Sequence, residues 1–335
     1  MLEIIPPTEK NCAIVTLAVG KDYLKAWEKY SKPSWLAYCK KNGIGLYVET
    51  RDLDFDNPPK KKQWQKLLLG TTLIKLNSKI KTICYIDTDV LINEFAPNIF
   101  DYHIEGTVGL ISQFNNVPLE RLTALRRVAF LRKNFLSNNY PLDSALFMEN
   151  RELYTYQQLE PQADFACSGV ILFDTPQVAS FMREVFEKYK MPINSITDGG
   201  EEAHVNYELQ KNFNINWLDY KFQALWVYEI AWKYPFLYLE PGNKKLTSKC
   251  IRSSLMGNYF LHFSGSWAEG NHWENTHVFK SKVWNKMLKE YFAYLKMPVT
   301  GKPVGKVLPK KHNVILRHPV VLYFNNFRKR ILNQK

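Results

Sequence analysis

The chain has 335 residues, 46% of them hydrophobic, enough to bury a large core and too many for a disordered protein. Its formal charge of +13 invites a nucleic-acid partner, but nine of the 45 Lys and Arg fall between residues 301 and 335, where no acid occurs. The remainder is nearly balanced, 36 basic residues against 32 acidic, so the excess marks a tail rather than a binding face and nucleic acid is not expected as a partner.

Five cysteines (Cys12, Cys39, Cys84, Cys167, Cys250) form an odd set without CxxC spacing, which suggests neither a zinc site nor a disulfide framework. Reduced, buried thiols and a cytoplasmic location are expected. The start MLEIIPPTEKNCAIVTLAVG places acids and prolines ahead of its apolar run, unlike a signal peptide. No stretch approaches the roughly 20 apolar residues of a membrane span, so a soluble or peripherally attached protein is expected.

In chain order, Cys12 to Val19 reads as a strand, Gly20 as a turn, and Asp22 to Tyr30 as the start of a helix. Ile44 to Val48 is a second strand, Gln63 to Leu76 a helix with apolar residues at helical spacing, and Ile83 to Ile86 a buried strand. Alternation of this kind predicts an α/β domain around a mainly parallel central sheet, with ligands at the carboxyl ends of its strands. Residues 112–163 break the rhythm with a basic helix, LERLTALRRVAFLRKNFL, and an aromatic stretch containing Tyr140, Phe147, Tyr154 and Tyr156. They are expected to form an insertion beside the site, an acceptor pocket or a lid; ordinary packing helices are the alternative. Val170 to Phe173 is the next strand and Pro176 to Tyr189 a helix, and the catalytic domain is expected to span residues 1–298.

The strand Ile83–Ile86 ends abruptly in Asp87-Thr88-Asp89. Side chains two apart on an extended segment share a face, so Asp87 and Asp89 can point together into a cleft and offer anionic oxygens to a hard divalent ion such as Mn²⁺ or Mg²⁺. Asp52-Leu53-Asp54-Phe55-Asp56 carries the same spacing twice more. It runs into Asn57-Pro58-Pro59 and a lysine run, and reads as an exposed loop. Helix capping or a solvated turn is the alternative for Asp87 and Asp89.

Several segments together resemble the retaining glycosyltransferases of the glycogenin and lipopolysaccharide galactosyltransferase family (family 8-like). They are Val15-Thr16-Leu17-Ala18-Val19 with Tyr23, Gln65-Lys66-Leu67, YIDTDVLI, Ser168-Gly169-Val170, DGGEEAHVN at 198–206 and LHFSG at 261–265, in the family's order. WQKLLLGTTLIKL and EEAHVNYEL are also similar to Golgi galactosyl- and mannosyltransferases. The resemblance implies a GT-A sandwich that binds a nucleotide sugar, probed first with UDP-sugars, and transfers a hexose to a glycan or lipid-linked acceptor with retention.

Residue by residue, it implies that Leu17, Ala18, Val19 and Tyr23 hold the nucleotide and that Lys66 approaches the diphosphate or sugar. Thr88 lies with them between the two aspartates, and Asp87, Asp89 and His262 ligate the metal. In DGGEEAHVN, Glu201 would bond the donor's hydroxyls, and Glu202 stands where the family usually has glutamine, beneath the sugar ring. A carboxylate there can stabilise or attack the anomeric carbon. Asp198 completes the catalytic set; the structural alternative is a helix start capped by Asp198 with Glu201 in a capping box.

Cys167 replaces a frequent Asn, and Ser266-Trp267-Ala268-Glu269 replaces a Lys-Pro-Trp, which removes an expected phosphate-binding lysine. In the tail, residues 299–335, Val320, Phe324, Phe327 and Ile331 recur at helical spacing beside Arg328, Lys329 and Arg330. A basic amphipathic helix on an anionic membrane is expected, with packing against the catalytic domain as the alternative. Two rival functions stand beside the enzyme: a nucleic-acid-binding protein using the tail, and an inactive nucleotide-sugar-binding protein of the same fold.

Overall fold

A computed structural model describes residues 1–8, 11–56, 58–136, 145–191, 200–240, 242–265 and 269–276. The tail at 299–335, Tyr140 and Asp198 therefore lie outside the described residues.

Strands β1 (Leu2–Ile5), β2 (Cys12–Leu17), β3 (Gly45–Glu49), β4 (Thr82–Ile86), β6 (Thr107–Leu110), β7 (Val170–Asp174) and β8 (Asn214–Trp217) form one sheet in the order β1-β3-β2-β4-β7-β6-β8. β2, β3, β4, β6 and β8 run in one direction, while β1 and β7 run against it. The α/β class and mainly parallel sheet are thus as expected. The reversal at β7 is not visible in its sequence, because VILFD is buried on both faces and a buried strand reads alike in either direction.

Short strands β5 (Val90–Ile92), β9 (Ala224–Leu225) and β10 (Phe260–His262) make a second sheet in the order β5-β10-β9. Helices α1 (Lys21–Ala26), α2 (Lys32–Asn42), α3 (Lys66–Leu76), α4 (Arg121–Phe135) and α5 (Asn150–Thr155) come from the first half of the chain. Helices α6 (Gln177–Lys188), α7 (Glu202–Asn212), α8 (Trp226–Lys233) and α9 (Lys244–Gly257) follow.

The large sheet is covered on both sides, as its apolar strands require. Leu67, Leu68, Leu69 and Leu73 of α3 and Val178, Ala179 and Met182 of α6 pack with Ala13, Val15, Ile83 and Phe173. Gly70 lets the two helices meet closely, since a Cβ there would lie 2.7 Å from the Ala179 Cβ. Trp35, Tyr38 and Cys39 of α2 pack with Ile14, Cys84 and Leu172 and with Val90, Ile92 and Phe260 of the small sheet. A third cluster joins α4, α8 and α9 to the other side of the small sheet.

The basic stretch 119–136 forms α4, which buries Ala124, Leu125, Val128 and Leu131. Arg132, also buried, bonds Glu269 at 2.9 Å. Tyr154 is enclosed and donates to the Asp164 carbonyl, so it packs rather than facing a ligand, while Tyr156 is exposed. All five cysteines are buried and none is in a disulfide with another. Among the described residues no helix is long and apolar enough to cross a membrane.

Candidate active site

The ends of β2, β4 and β6 and the start of β7 share one edge of the large sheet, because β7 runs against the others. That edge gathers Leu17 to Val19, Asp87 to Asp89, Ser112 with Gln113, and Cys167 to Gly169. The Asp87 N–H donates to the Gly169 carbonyl at 2.9 Å, which ties the aspartate turn to the entrance of β7.

His262 reaches this edge through the small sheet. β10 pairs antiparallel with β5 so that His262 opposes Val90, and the Phe263 N–H donates to the Asp89 carbonyl at 3.1 Å. Register alone therefore seats a histidine beside the second aspartate. His262 Nε2 lies 3.2 Å from Asp89 Oδ1 and 3.8 Å from Asp87 Oδ2. One ligand atom from each of the three falls within 4.8 Å of the others. Ligands held at about 2.1 Å from an octahedral cation are about 3 Å apart when adjacent; His262 and Asp89 stand near that spacing, and Asp87 would draw inward to share one divalent ion with them. Burial disfavours charge on both partners, but the contact wins: Asp89 is held below the ordinary carboxylate range and His262 well above the ordinary imidazole value. The proton shared there marks where a cation would replace it.

Gly169 is required for the fit. A Cβ on it would lie 2.4 Å from His262 Cε1.

Lys66 opens α3 and is enclosed rather than projecting toward solvent. Its Nζ lies 2.7 Å from Glu201 Oε1 and 3.4 Å from Asp87 Oδ1, and it donates to Ser168 Oγ at 3.1 Å. Burial would lower its pKa, but the two carboxylates outweigh it and hold the ammonium well above its ordinary value. Glu201 is correspondingly held low, burial notwithstanding, and also accepts from Ser168 Oγ at 2.6 Å. Tyr85 donates its hydroxyl to Asp87 Oδ1.

Glu201 is the residue immediately before α7 and Glu202 the first within it. The structural alternative, with Glu201 in a capping box, does not hold: Glu201 occupies the cap position itself and its side chain serves Lys66. Glu202 Oε1 accepts from the Ser168 N–H at 3.1 Å and from Gln113 Nε2 at 3.3 Å. Burial, then the neighbouring Glu201 charge, raises its pKa to about 7.

A cleft of about 460 Å³ opens over the aspartates, with Leu17, Val19, Tyr23, Thr88, Lys62 and Trp273 among its walls. Tyr23 is 65% exposed at the rim. Ala18 is buried and its N–H donates to the Glu49 carbonyl at 2.8 Å, so that donor is not available to a ligand. Glu201, Glu202 and Lys66 do not line this cleft. Lys62, Trp273 and the hub residue Ser168 carried no role in the sequence reading. Lys62 is the basic residue among the walls of the cleft, where it pairs with Asp52. Trp273 is braced: its indole N–H donates to Ser31 Oγ at 2.9 Å, and Ser31 Oγ donates to the Thr88 carbonyl at 2.7 Å.

The second aspartate run is a loop with Asp52, Phe55 and Asp56 exposed, as expected, but Asp54 within it is buried, accepting from the Asp56 N–H at 3.0 Å and the Lys60 N–H at 2.7 Å. Asp52 pairs with Lys62, and Asp56 with Lys60 and Lys190. Every carboxylate of this run is committed to local partners.

No family model and no curated protein matches the sequence. Among solved structures, the chain is similar to a glycosyltransferase involved in the glycosylation of the major capsid of PBCV-1, with 11% identity, 78% of this chain and 98% of that one covered, and a TM-score of 0.47. It is also similar to the bifunctional glycosyltransferase WbbM (10% identity, 86% of this chain, TM-score 0.41) and to the glycosyltransferase GlyE of Streptococcus pneumoniae TIGR4 (11%, 84%, 0.39). The chain spans 53% and 63% of the lengths of those last two. At such identities and scores, any functional reading rests on the geometry of the site itself.

Proposed function

We propose that this chain is a metal-dependent glycosyltransferase of the GT-A type, moving a hexose from a nucleotide sugar, foremost a UDP-sugar, to a glycan or lipid-linked acceptor with retention of configuration. The observation that carries it is the convergence of Asp87, Asp89 and His262 on one cleft at the carboxyl edge of the sheet, within 4.8 Å of one another. A divalent ion there, Mn²⁺ or Mg²⁺, would neutralise charge on a leaving diphosphate.

The chain's own groups divide the remaining work. Leu17, Val19 and Tyr23 offer an apolar and aromatic wall to the nucleotide, with Thr88 between the two metal-binding aspartates. Lys62 brings a cation into the cleft. Lys66 keeps Glu201 ionised and anchors it against Ser168; Glu201 would accept from hydroxyls of the sugar where the bound donor opens the wall that covers it. Glu202, with a pKa near neutrality, exchanges a proton in the working range and in its ionised form supplies negative charge to the anomeric carbon. Peripheral attachment of a cytoplasmic enzyme to an anionic membrane through residues 299–335 completes the proposal.

The decisive assay is hydrolysis of UDP- and GDP-sugars with Mn²⁺, Mg²⁺ or excess chelator, followed by NMR of the product anomer. Metal-dependent release of nucleotide with retention is expected. Full activity in chelator would remove the metal from the mechanism, and inversion would overturn the retaining assignment.

A further inference from the structure

His262 sits on the central strand of the small sheet, so both of its ring nitrogens meet neighbouring strands. On one side β5 and the turn before it deliver Asp89 to Nε2. On the other side β10 pairs in parallel with β9, with His262 opposite Leu225, and the short helical turn ending at Gln223 runs directly into β9. Gln223 is 1% exposed and meets His262 Nδ1 at 3.1 Å.

Only one orientation of the Gln223 amide satisfies all of its neighbours. In it, Oε1 accepts from His262 Nδ1–H at 3.1 Å and from the Gly169 N–H at 3.2 Å, while Nε2 donates to the Cys167 carbonyl at 3.0 Å. The reverse orientation would aim an amide N–H at the Gly169 N–H and leave a buried carbonyl facing another carbonyl, both costly in a dry interior. The Cys167 thiol is the other group near Nδ1, at 3.7 Å. At that distance sulfur is a weak acceptor beside the Gln223 oxygen at 3.1 Å.

We infer that Gln223 is a positioning residue of the metal site: it holds the proton on Nδ1 of His262, so that the proton on Nε2 is the one a cation displaces and Nε2 is the nitrogen that faces Asp87 and Asp89 as ligand. This deepens the metal-site reading above and rests on it. The mechanism is physical. A neutral imidazole carries one proton, and whichever nitrogen is given an acceptor keeps it. With Gln223 accepting at Nδ1, the proton on Nε2 is the one that leaves when a cation arrives, and the ring is held in place from both sides. Outer partners of ligating histidines act in this way and carry about 10- to 100-fold of metal affinity. Gly169 belongs to the same device: its missing Cβ leaves room for ring and amide together, since a Cβ there would lie 2.6 Å from the Gln223 amide.

The test measures Mn²⁺ binding alone by EPR titration of the full chain, and the ring state of His262 by long-range ¹H–¹⁵N NMR of the Mg²⁺-loaded protein, assigned against His262→Asn. Wild type is expected to show a protonated Nδ1 and a bare Nε2. Gln223→Leu, close in volume but without an acceptor, should weaken Mn²⁺ binding about 10- to 100-fold. Gln223→Glu keeps an acceptor at Nδ1 and should remain within about fivefold of wild type; it decides the matter if the leucine variant fails to fold. Cys167→Ala should change affinity far less than Gln223→Leu. A bare Nδ1 in wild type, Mn²⁺ binding by Gln223→Leu equal to wild type, or a loss in Gln223→Glu as large as in Gln223→Leu overturns the positioning role while leaving the metal site standing. A wild-type chain that binds no Mn²⁺ removes the metal reading and this inference with it.

Discussion

Individual side chains at the sheet edge differ sharply in what they can give up. Asp89→Ala removes one of three converging ligands, so Mn²⁺ binding and turnover are expected to disappear while the fold persists, as read by EPR and circular dichroism. Asp54→Ala should do the opposite: Mn²⁺ affinity stays, but two backbone donors lose their acceptor, one of them on the buried Lys60, and thermal unfolding should shift by about 1–3 kcal/mol. Glu202 permits a test with pH. Its folded pKa of about 7 exceeds the ordinary 4.5, so between those values the folded chain holds a proton that the unfolded chain has released. The stability this contributes is complete below pH 4.5 and is lost as pH rises toward 7. Glu202→Gln lacks that dependence, so its melting temperature should gain on wild type across the window and level off above it; a constant difference would place Glu202 in an ordinary solvated state. At this scale the sequence shows Asp87 and Asp89 because carboxylates ending a buried strand stand out against apolar neighbours, and His262 only through the likeness of its segment to a family. It does not show Ser168, Gln223 or Trp273, whose roles arise only where distant segments meet. Asp54 was misread for a related reason: a polar run beside prolines looks solvated until its acceptors are traced to backbone donors.

Whole elements obey a different logic. CAIVTL and TICYI announce themselves as buried strands by unbroken apolar content, and the helices by spacing. The small sheet is invisible to that approach, because strands of two or three residues carry no period, and the segment LHFSG was recognisable only by likeness to a family. Yet this sheet delivers His262 to Asp87 and Asp89. Where β7 begins, Gly169 must admit the edge of β10, so Gly169→Ala is expected to push the His262 ring aside, with a would-be contact of 2.4 Å that neither backbone can easily relieve. Mn²⁺ affinity should fall by at least the 10- to 100-fold typical of disturbed ligand support, with a cooperative melt retained. An alanine variant that binds Mn²⁺ normally would show that the two strands separate more freely than their packing suggests. Helix α4 lies in the stretch expected to form an acceptor pocket or a lid, and its apolar stripe and Arg132 pack into the interior.

For the molecule as a whole, the charge distribution makes a prediction that is separate from catalysis. The surplus of positive charge is concentrated in residues 301–335, and each Lys or Arg near an anionic leaflet contributes about 1 kcal/mol. Deleting residues 313–335 should therefore weaken sedimentation with anionic vesicles, more so at low salt, and leave hydrolysis of a soluble donor intact. Unchanged vesicle binding would assign those residues to another task.

The brace from Trp273 through Ser31 to Thr88 joins the aromatic wall of the cleft to the backbone between the two aspartates. A group stacking on the indole and a cation seated on the carboxylates would thus press on one shared strut, and their binding free energies would not be independent. Such coupling is reciprocal: whatever factor the ion adds to nucleotide affinity, the nucleotide must return to the ion. Two hydrogen bonds of about 0.5–1.5 kcal/mol each set the scale of that exchange, enough for about a tenfold mutual enhancement. The cleft would then favour being fully loaded or fully empty over holding either occupant alone.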